Sequence, residues 1–357
     1  MHQRITKADP HIVNPNDKLT VRELAALSDE SLAQVDVLYL NLAVAREFPG
    51  VEQLNIQHYQ RIVDEWSGQA AGMLAKAEPE FHKSPQLWQD DIRFFRLACI
   101  AQFMRRVLRI RYNQEYERSF REAESQSVYS GIRYSHVHDQ FLHALIDLRQ
   151  GTCASIPVLY LAIARRLDLP VYLTQIDSHL MCRFEDGQVT YNIDVTDMKD
   201  GGFSAPADDD LLISKRAIRF GSDFKTLTAR EMLGYFLSQR GRIFRDIGQL
   251  DRADSDYCLA RWLLPRHRYT IVDGIGIAFQ QAEAAFDPGE RFDPLLMARA
   301  LVHRYEEQRN LPLSQFATPH PNPASGRPQS VHYSSITPTY SPMLIQGETR
   351  SCLSQPK

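Results

Sequence analysis

Apolar side chains recur at helical spacing through the first third of the chain. The clearest stripe, with the i, i+3, i+4, i+7 spacing of one buried helix face, consists of Tyr59, Ile62, Val63, Trp66 and Ala70. Thr20 with Glu23 three residues later is a capping-box pattern, which marks the start of a helix. The run 92–108 is apolar on nearly every side and predicts a central helix. We therefore predict a helical region over 20–130, after a polar, mobile lead-in over 1–19.

The pattern changes between 131 and 222, after a polar and aromatic connection over 111–132 that we interpret as a surface excursion over a cleft. Pro157 is tolerated only in the first turn of a helix, so the helix that contains it must begin close to Cys153. Three runs with strand character follow that helix: 171–176, 179–185 and 188–195. These elements predict an α+β core, in which one helix packs on a small antiparallel sheet, with helical regions on both sides.

The last two predicted strands are joined by Asp186 and Gly187. Asp-Gly between alternating runs is a strong signal for a two-residue hairpin turn. In that register His179 lies directly opposite Asp194, on the polar face of the hairpin. Their Cβ atoms should be about 4.5–5.5 Å apart, which allows the imidazole and the carboxylate to hydrogen-bond. The apolar face carries Cys182, which is expected to point into the core.

The chain becomes helical again over 223–312. Residues 234–267 fit one tetratricopeptide-like unit of helix, turn and helix, whose small, aromatic and proline positions are Gly241, Phe244, Ala253, Tyr257, Ala260 and Pro265. A single unit cannot bury its own apolar face, so we expect it to pack on the central region or on a later helix over 294–308. The tail over 313–357 is rich in Pro, Ser and Thr, which predicts disorder.

Composition excludes several classes of protein. The 357 residues carry a net charge of −3, which gives no general attraction to nucleic acid or to an anionic membrane. No apolar run is long enough to span a membrane, and the N-terminal residues lack the apolar segment of a signal peptide. The five cysteines are widely spaced and include no Cys-x-x-Cys pair, which argues against a disulfide framework or a zinc knuckle. We expect a cytoplasmic protein that binds neither nucleic acid nor membrane and needs no cofactor.

One thiol, that of Cys153, has a predicted setting that favours chemistry. At a helix start, unsatisfied N–H groups and the positive end of the helix dipole favour a thiolate, and the same N–H groups are candidate donors to an oxyanion. His179 and Asp194 supply an imidazole and a carboxylate that orients it, so these three residues are the candidate catalytic set for acyl transfer. Gln150, the upstream amide nearest to the cysteine, is a candidate further oxyanion donor, and Gln140 is an alternative.

Three segments around these residues carry a resemblance to a known family: GTCASIPVLYLAIARRL (151–167), SHLMCRF (178–184) and YNIDVT (191–196). They resemble the transglutaminase-like, papain-related superfamily, and most closely a bacterial SirB-type branch whose members often have a tetratricopeptide-like C-terminal region. The resemblance implies an α+β papain-like fold, with Cys153 as nucleophile, His179 as base and acid, and Asp194 as the orienting group.

Two functions remain open at this point. The first is a thiol enzyme that acts on amide or peptide bonds of a protein or peptide substrate, by hydrolysis, deamidation or transamidation. The alternative is a catalytically inactive scaffold that binds partner proteins through its tetratricopeptide-like helices. A metal site is not predicted, because no acidic or cysteine cluster accompanies the nearby histidines His136, His138 and His143. The oligomeric state follows from neither reading.

Overall fold

Side chains that cap the backbone set the starts of the N-terminal helices. At the first helix the Glu23 N–H donates to the Thr20 hydroxyl at 3.2 Å, and the Thr20 N–H donates to the Glu23 carboxylate at 2.7 Å, so the predicted capping box is confirmed. The computed structural model describes residues 19–116, 140–176, 179–196, 203–207, 218–219, 221 and 224–285. The helices before the sheet are α1 (Val21–Ala26), α2 (Asp29–Ala33), α3 (Val37–Arg46), α4 (Ile56–Lys83) and α5 (Ile92–Gln102).

The two longest of these helices bury the faces that the pattern predicts. In α4 the predicted stripe is buried except for Ile62, which is partly exposed. The run 92–108 forms α5 and then a π-helical turn over Phe103–Val107. The Tyr160 hydroxyl, which is fully buried, donates to the Leu97 carbonyl of α5 at 2.9 Å. This bond joins α5 to the helix that follows the candidate nucleophile.

The central region contains the predicted helix and three strands. Its elements are β1 (Arg111–Tyr112), α6 (Leu142–Leu148), β2 (Gln150–Gly151), α7 (Ile156–Arg166), β3 (Val171–Ile176), β4 (His179–Glu185) and β5 (Thr190–Ile193). Strands β3, β4 and β5 form an antiparallel sheet in that order, and β1 pairs with β2 in parallel. Helix α7 packs on this sheet, where the Cys182 thiol donates to the Pro157 carbonyl at 3.3 Å. The α+β prediction is therefore confirmed.

The predicted register of the β4–β5 hairpin is wrong by two residues. Glu185 pairs with Thr190, so the turn contains four residues and not two. The Asp186 carboxylate makes this wider turn, because it accepts the N–H groups of Gln188 and Val189, both at 2.9 Å. Since the side-chain period of a strand is two residues, the shift leaves each side chain on its predicted face. Cys182 is fully buried, as expected for the apolar face.

The tip of this hairpin is tied to the N-terminal helices. The Arg93 guanidinium of α5 donates to the Asp186 carboxylate at 2.8 Å and to the Gln188 side-chain oxygen at 3.0 Å. The Tyr191 hydroxyl of β5 donates to the Asp91 carboxylate at 2.8 Å. These contacts tie the turn and strand β5 to the start of α5, whereas Asp194 lies at the other end of the hairpin.

The C-terminal helices are α8 (Ala229–Asp246), α9 (Leu250–Leu263) and α10 (Arg268–Ala285). Helices α8 and α9 pack closely because Gly241 lies beside the Tyr257 ring, where an added Cβ would come within 3.1 Å. Helix α8 also packs on α3, where Phe48 and Phe244 stack with ring centroids 4.9 Å apart. The Arg240 guanidinium reinforces this interface: it donates to the Val44 carbonyl at 2.9 Å and to the buried Asp256 carboxylate at 2.7 Å.

Buried apolar side chains from all three regions belong to one hydrophobic cluster within the compact unit Met1–Ala317. Most of the predicted connection over 111–132, the predicted helix over 294–308 and the predicted tail over 313–357 lie outside the described residues. The predicted boundaries between regions stay predictions. Among the described helices, none is both long and apolar enough to cross a membrane.

Candidate functional site

Cys153 lies in a turn directly before α7. The helix begins three residues later, at Ile156, with Pro157 in its first turn. Thr152 closes this turn: its carbonyl accepts the N–H groups of Ser155 at 3.1 Å and Ile156 at 3.0 Å, and its hydroxyl accepts the Ala154 N–H at 3.2 Å. The expectation that these helix-start N–H groups are open to an oxyanion is therefore wrong, because Thr152 already occupies them.

The segment before the cysteine is held from both sides. The Asn113 N–H donates to the Gly151 carbonyl at 2.8 Å and extends the β1–β2 pairing. An added Cβ at Gly151 would lie 2.7 Å from both the Leu145 side chain and the Ser155 hydroxyl, closer than real contacts allow. Any larger residue here would displace buried side chains of α6 and of the turn before α7, so the Cys153 turn is packed tightly against both helices.

His179 and Asp194 meet at the end of the hairpin. The distance between His179 Nε2 and Asp194 Oδ2 is 3.0 Å. Asp194 is a diagonal neighbour of His179 on the same face, since the register shift moves the predicted opposite pair apart by two residues. The backbone of Asp194 is fixed independently of its side chain, because its N–H and carbonyl both pair with Ser204 at 2.9 Å. A hydrogen bond therefore joins the two predicted partners despite the wrong register.

Electrostatics at this pair favour a charged imidazole. Burial alone lowers the pKa of His179, but hydrogen bonds with Asp194 and with the Cys153 thiol outweigh it and raise the pKa to about 10. Burial raises the pKa of Asp194, and the hydrogen bond with His179 overcomes this and holds that pKa below its usual value. The side chains of His179 and Asp194 are 33% and 21% exposed, so solvent reaches both groups.

Thr196 is a site residue that the sequence reasoning missed. Its N–H at 2.8 Å and its hydroxyl at 2.6 Å both donate to Asp194 Oδ1, the carboxylate oxygen that does not face His179. The hydroxyl oxygen also lies 3.4 Å from His179 Nε2. The signal was present in Asp-Val-Thr, because a residue two positions after Asp194 shares its strand face.

The predicted oxyanion amides have different surroundings. The Gln150 side chain is exposed on β2, and its proposed role stays a prediction. Gln140 is 2% exposed, and its Nε2 has no hydrogen-bond partner in the part of the chain that the structure describes. Neither amide has a described contact with Cys153.

The other described cysteines differ from Cys153. Cys182 is fully buried, and burial holds its pKa well above the usual value. Burial also raises the pKa of Cys99, to about 11. Cys258 is buried in α9, and Cys352 lies outside the described residues. Of the described thiols, the structure joins that of Cys153 to a histidine.

Within the described ranges, no group of three or more His, Cys, Asp and Glu side chains could hold a metal ion. His143 is buried in α6, whereas His136 and His138 fall among the residues that are not described. The expectation of no cofactor stays a prediction.

The site has a thiol, an imidazole and a carboxylate in series, which is the set of groups that nucleophilic acyl transfer requires.

Comparison with known protein families gives a match to the central region of the chain. Residues 101–205 match a family model described as Transglutaminase-like superfamily. Cys153, His179 and Asp194 all lie within the matched range, and α8–α10 lie outside it. No curated protein and no solved structure matches the chain. The resemblance to the superfamily is confirmed over this range, and the SirB-type branch and the tetratricopeptide-like unit stay predictions.

Proposed function

We propose that the protein is a thiol enzyme that transfers acyl groups from amide or peptide bonds through Cys153, His179 and Asp194. The observation that carries this proposal is the His179–Asp194 hydrogen bond of 3.0 Å, on an imidazole that also contacts the Cys153 thiol. A histidine with a purely structural role would not need both a carboxylate and a thiol as partners. The matched family model supports the same class of chemistry.

The first half of the reaction forms a thioester. His179 holds the proton of the Cys153 thiol, so the sulfur attacks the substrate carbonyl as a thiolate. The C–N bond then breaks, and His179 donates that proton to the leaving amine. Asp194 balances the positive charge of the imidazolium and keeps Nε2 turned toward itself. Since Thr152 occupies the next three N–H groups, the proposed backbone donor to the oxyanion is the N–H of Cys153.

The second half of the reaction releases the acyl group. Water or a primary amine attacks the thioester, His179 takes the proton of that nucleophile, and the Cys153 thiolate leaves. Water gives hydrolysis of a peptide or deamidation of a carboxamide, and an amine gives transamidation. We propose a protein or peptide as the substrate, because His179 and Asp194 are partly exposed and a segment of another chain can reach them.

The test is acylation by p-nitrophenyl acetate, a small activated ester that needs no substrate recognition. We expect a burst of p-nitrophenol and an acetyl group on Cys153 in the intact-protein mass spectrum. The burst should be absent in Cys153→Ala and should persist in Cys182→Ala, the matched buried-thiol control. No faster acylation of Cys153 than of a free cysteine in a peptide would contradict the proposal, and would leave the non-catalytic scaffold as the better account.

A second experiment identifies the acceptor. A peptide mixture is incubated with the wild type or with Cys153→Ala, with and without an added biotinylated primary amine. Cleaved peptides, deamidated glutamines or amine-labelled glutamines that appear only with the wild type distinguish hydrolysis, deamidation and transamidation. Equal products from both proteins would contradict enzymatic acyl transfer on peptides.

A further inference from the structure

The two oxygens of the Asp194 carboxylate have different partners. Oδ2 faces His179 Nε2 at 3.0 Å, and Oδ1 accepts the N–H and the hydroxyl of Thr196. The carboxylate is therefore held at both oxygens, and its rotation about the Cβ–Cγ bond would break at least one of these bonds. Thr196 lies just past β5, and its hydroxyl oxygen is 2.6 Å from Asp194 Oδ1 and 3.4 Å from His179 Nε2.

The direction of the Thr196 hydroxyl constrains the proton on His179. Its hydrogen points to Asp194 Oδ1 at 2.6 Å, so the hydroxyl oxygen presents only lone pairs to His179 Nε2, 3.4 Å away. Two acceptors, the carboxylate Oδ2 and this hydroxyl oxygen, thus face Nε2. In a neutral ring such surroundings favour the proton on Nε2 and leave the lone pair on Nδ1.

We propose that Thr196 is a positioning residue: through its hydroxyl it fixes the Asp194 carboxylate and thereby keeps the His179 proton on Nε2, which leaves Nδ1 to exchange a proton with Cys153. The tautomer follows from the geometry alone. Its consequence for the reactivity of Cys153 rests on the proposed function.

Substitutions of Thr196 can distinguish this positioning role of the hydroxyl from a purely structural role. The Asp194 backbone is fixed by two hydrogen bonds with Ser204, and the Thr196 N–H donates to Oδ1 whatever the side chain is. Valine has the shape of threonine without the hydroxyl, so Thr196→Val removes one donor and keeps the β-branched side chain and the backbone contacts. Thr196→Ser restores the hydroxyl.

The experiment measures the tautomer of His179 by ¹⁵N NMR of the full chain with labelled histidine. The parent is Cys153→Ala, in which no thiolate competes for the ring proton, at a pH above the titration midpoint of the ring. The His179 signals among the 12 histidines are assigned by their loss in His179→Gln. Thr196→Val and Thr196→Ser are made in this parent, with Thr190→Val, an exposed threonine of β5, as the matched control.

We expect the Nε2–H tautomer in the parent, in Thr196→Ser and in Thr190→Val, and a mixture of tautomers in Thr196→Val. An Nε2–H population in Thr196→Val equal to that of the parent would overturn the inference, as would a parent that carries its proton on Nδ1. If Thr196→Val does not fold, Thr196→Ala is the hydroxyl-free variant, and the same two outcomes apply to it.

A second readout separates this inference from the proposed function. In the background with Cys153 intact, alkylation of Cys153 should slow about fivefold to tenfold in Thr196→Val, the effect of losing one hydrogen bond, and should recover in Thr196→Ser. A slow Cys153 in the wild type would contradict the enzyme while leaving the tautomer result standing. An unchanged tautomer in Thr196→Val would overturn the role of Thr196 even with a fast Cys153.

Discussion

Two regions of the molecule each hold a histidine next to the sheet, and they shift the pKa values of the two rings in opposite directions. On the hairpin, His179 contacts the carboxylate of Asp194, and its pKa rises to about 10. In the helical region, His267 is 3% exposed, and burial lowers its pKa to about 4. Its ring contacts neutral groups: the Gln175 side-chain amide, 2.6 Å from Nε2, and the hydroxyl of Thr270.

The difference shows that burial does not decide the charge of a histidine by itself. Burial lowers the pKa of both rings, and at His179 the hydrogen bond and the charge of the Asp194 carboxylate help to reverse that effect. A neutral ring among neutral donors and acceptors is suited to packing, whereas an imidazolium beside a thiol is suited to proton transfer. By this criterion, the hairpin is the region where we propose reactivity, and the helical region is the one where we propose a purely structural role.

The two histidines also stabilise the fold in different pH ranges. The stabilisation from His179 is complete below its unfolded pKa of about 6.5 and is lost as the pH rises through about 10. His267 has a lower pKa in the native state than in the unfolded state. Its titration therefore leaves the stability of the protein unchanged above about pH 6.5, and the protein loses stability as the pH falls toward about 4.

The largest expected effect follows from removing the anion. Asp194→Ala should lower the His179 titration midpoint from about 10 toward the ordinary histidine value of about 6.5, because the carboxylate that opposes burial is lost and only Cys153 still raises the pKa of the ring. Histidine NMR titration measures this midpoint. Glu30→Ala, which removes an exposed carboxylate of α2, is the control and should leave it unchanged. A midpoint that stays near about 10 in Asp194→Ala would remove the contrast between the two rings.

In the helical region, removing the partner of a buried charge should change the stability of the fold and not the reactivity of Cys153. Arg240→Met leaves the buried Asp256 carboxylate without its cation and should lower the free energy of unfolding by about 3–5 kcal/mol. Urea denaturation measures this loss, and Arg61→Met, at an exposed position of α4, should stay within about 0.5 kcal/mol of wild type. The folded fraction of Arg240→Met should alkylate at Cys153 as fast as wild type. A slower rate would mean that the helical region also tunes the site.

Because burial lowers the pKa of His267, we expect the stability of the wild type and of His267→Gln to differ at acid pH. Between about pH 6.5 and about pH 4, the wild type should lose up to about 3 kcal/mol relative to His267→Gln, because only the wild type has a buried ring that protonates on unfolding. The measurement is the difference between their free energies of unfolding across this range. His58→Gln, at an exposed position of α4, is the matched control and should run parallel to wild type. A pH-independent difference for His267→Gln would show that His267 is not held neutral.

The smallest effect concerns packing in the helical region. Gly241→Ala places a Cβ 3.1 Å from the Tyr257 ring and should cost about 1 kcal/mol of stability, because overpacking exceeds the gain in helix propensity. Gly72→Ala in α4 meets nothing within 4 Å and should stabilise by about 0.5–1 kcal/mol. Thermal unfolding compares the two variants. Equal effects would mean that the α8–α9 interface is looser than described.

The elements around the site were predictable because their side-chain patterns are local. The bounds of β3 and β4 agree with the predicted runs 171–176 and 179–185, and most residues of both strands are buried. Strand β5 is shorter than the predicted run 188–195, because Asp186 closes a wider turn with its own side chain. Turn chemistry of this kind depends on where a carboxylate points, which the residue pair Asp-Gly does not specify.

The identities of the candidate site residues could be predicted from the sequence, whereas several of their hydrogen-bond partners could not. The face shared by His179 and Asp194 follows from strand parity, which a two-residue slip preserves. The donors around Cys153 could not be predicted in the same way, since whether Thr152 occupies the next N–H groups depends on the turn geometry. Thr196 was missed because its role appears only once the second oxygen of Asp194 is seen to need a partner.

The central claim is that Cys153 and His179 form a reactive pair, and its most direct test is the rate of Cys153 alkylation by iodoacetamide between about pH 5 and about pH 9. Peptide mass spectrometry follows the labelling of Cys153 in the wild type and in His179→Ala. We expect rapid labelling well below the free-thiol pKa of about 8.5 in the wild type, and a return to ordinary thiol behaviour in His179→Ala. Slow labelling with ordinary thiol pH dependence in both proteins would contradict the account.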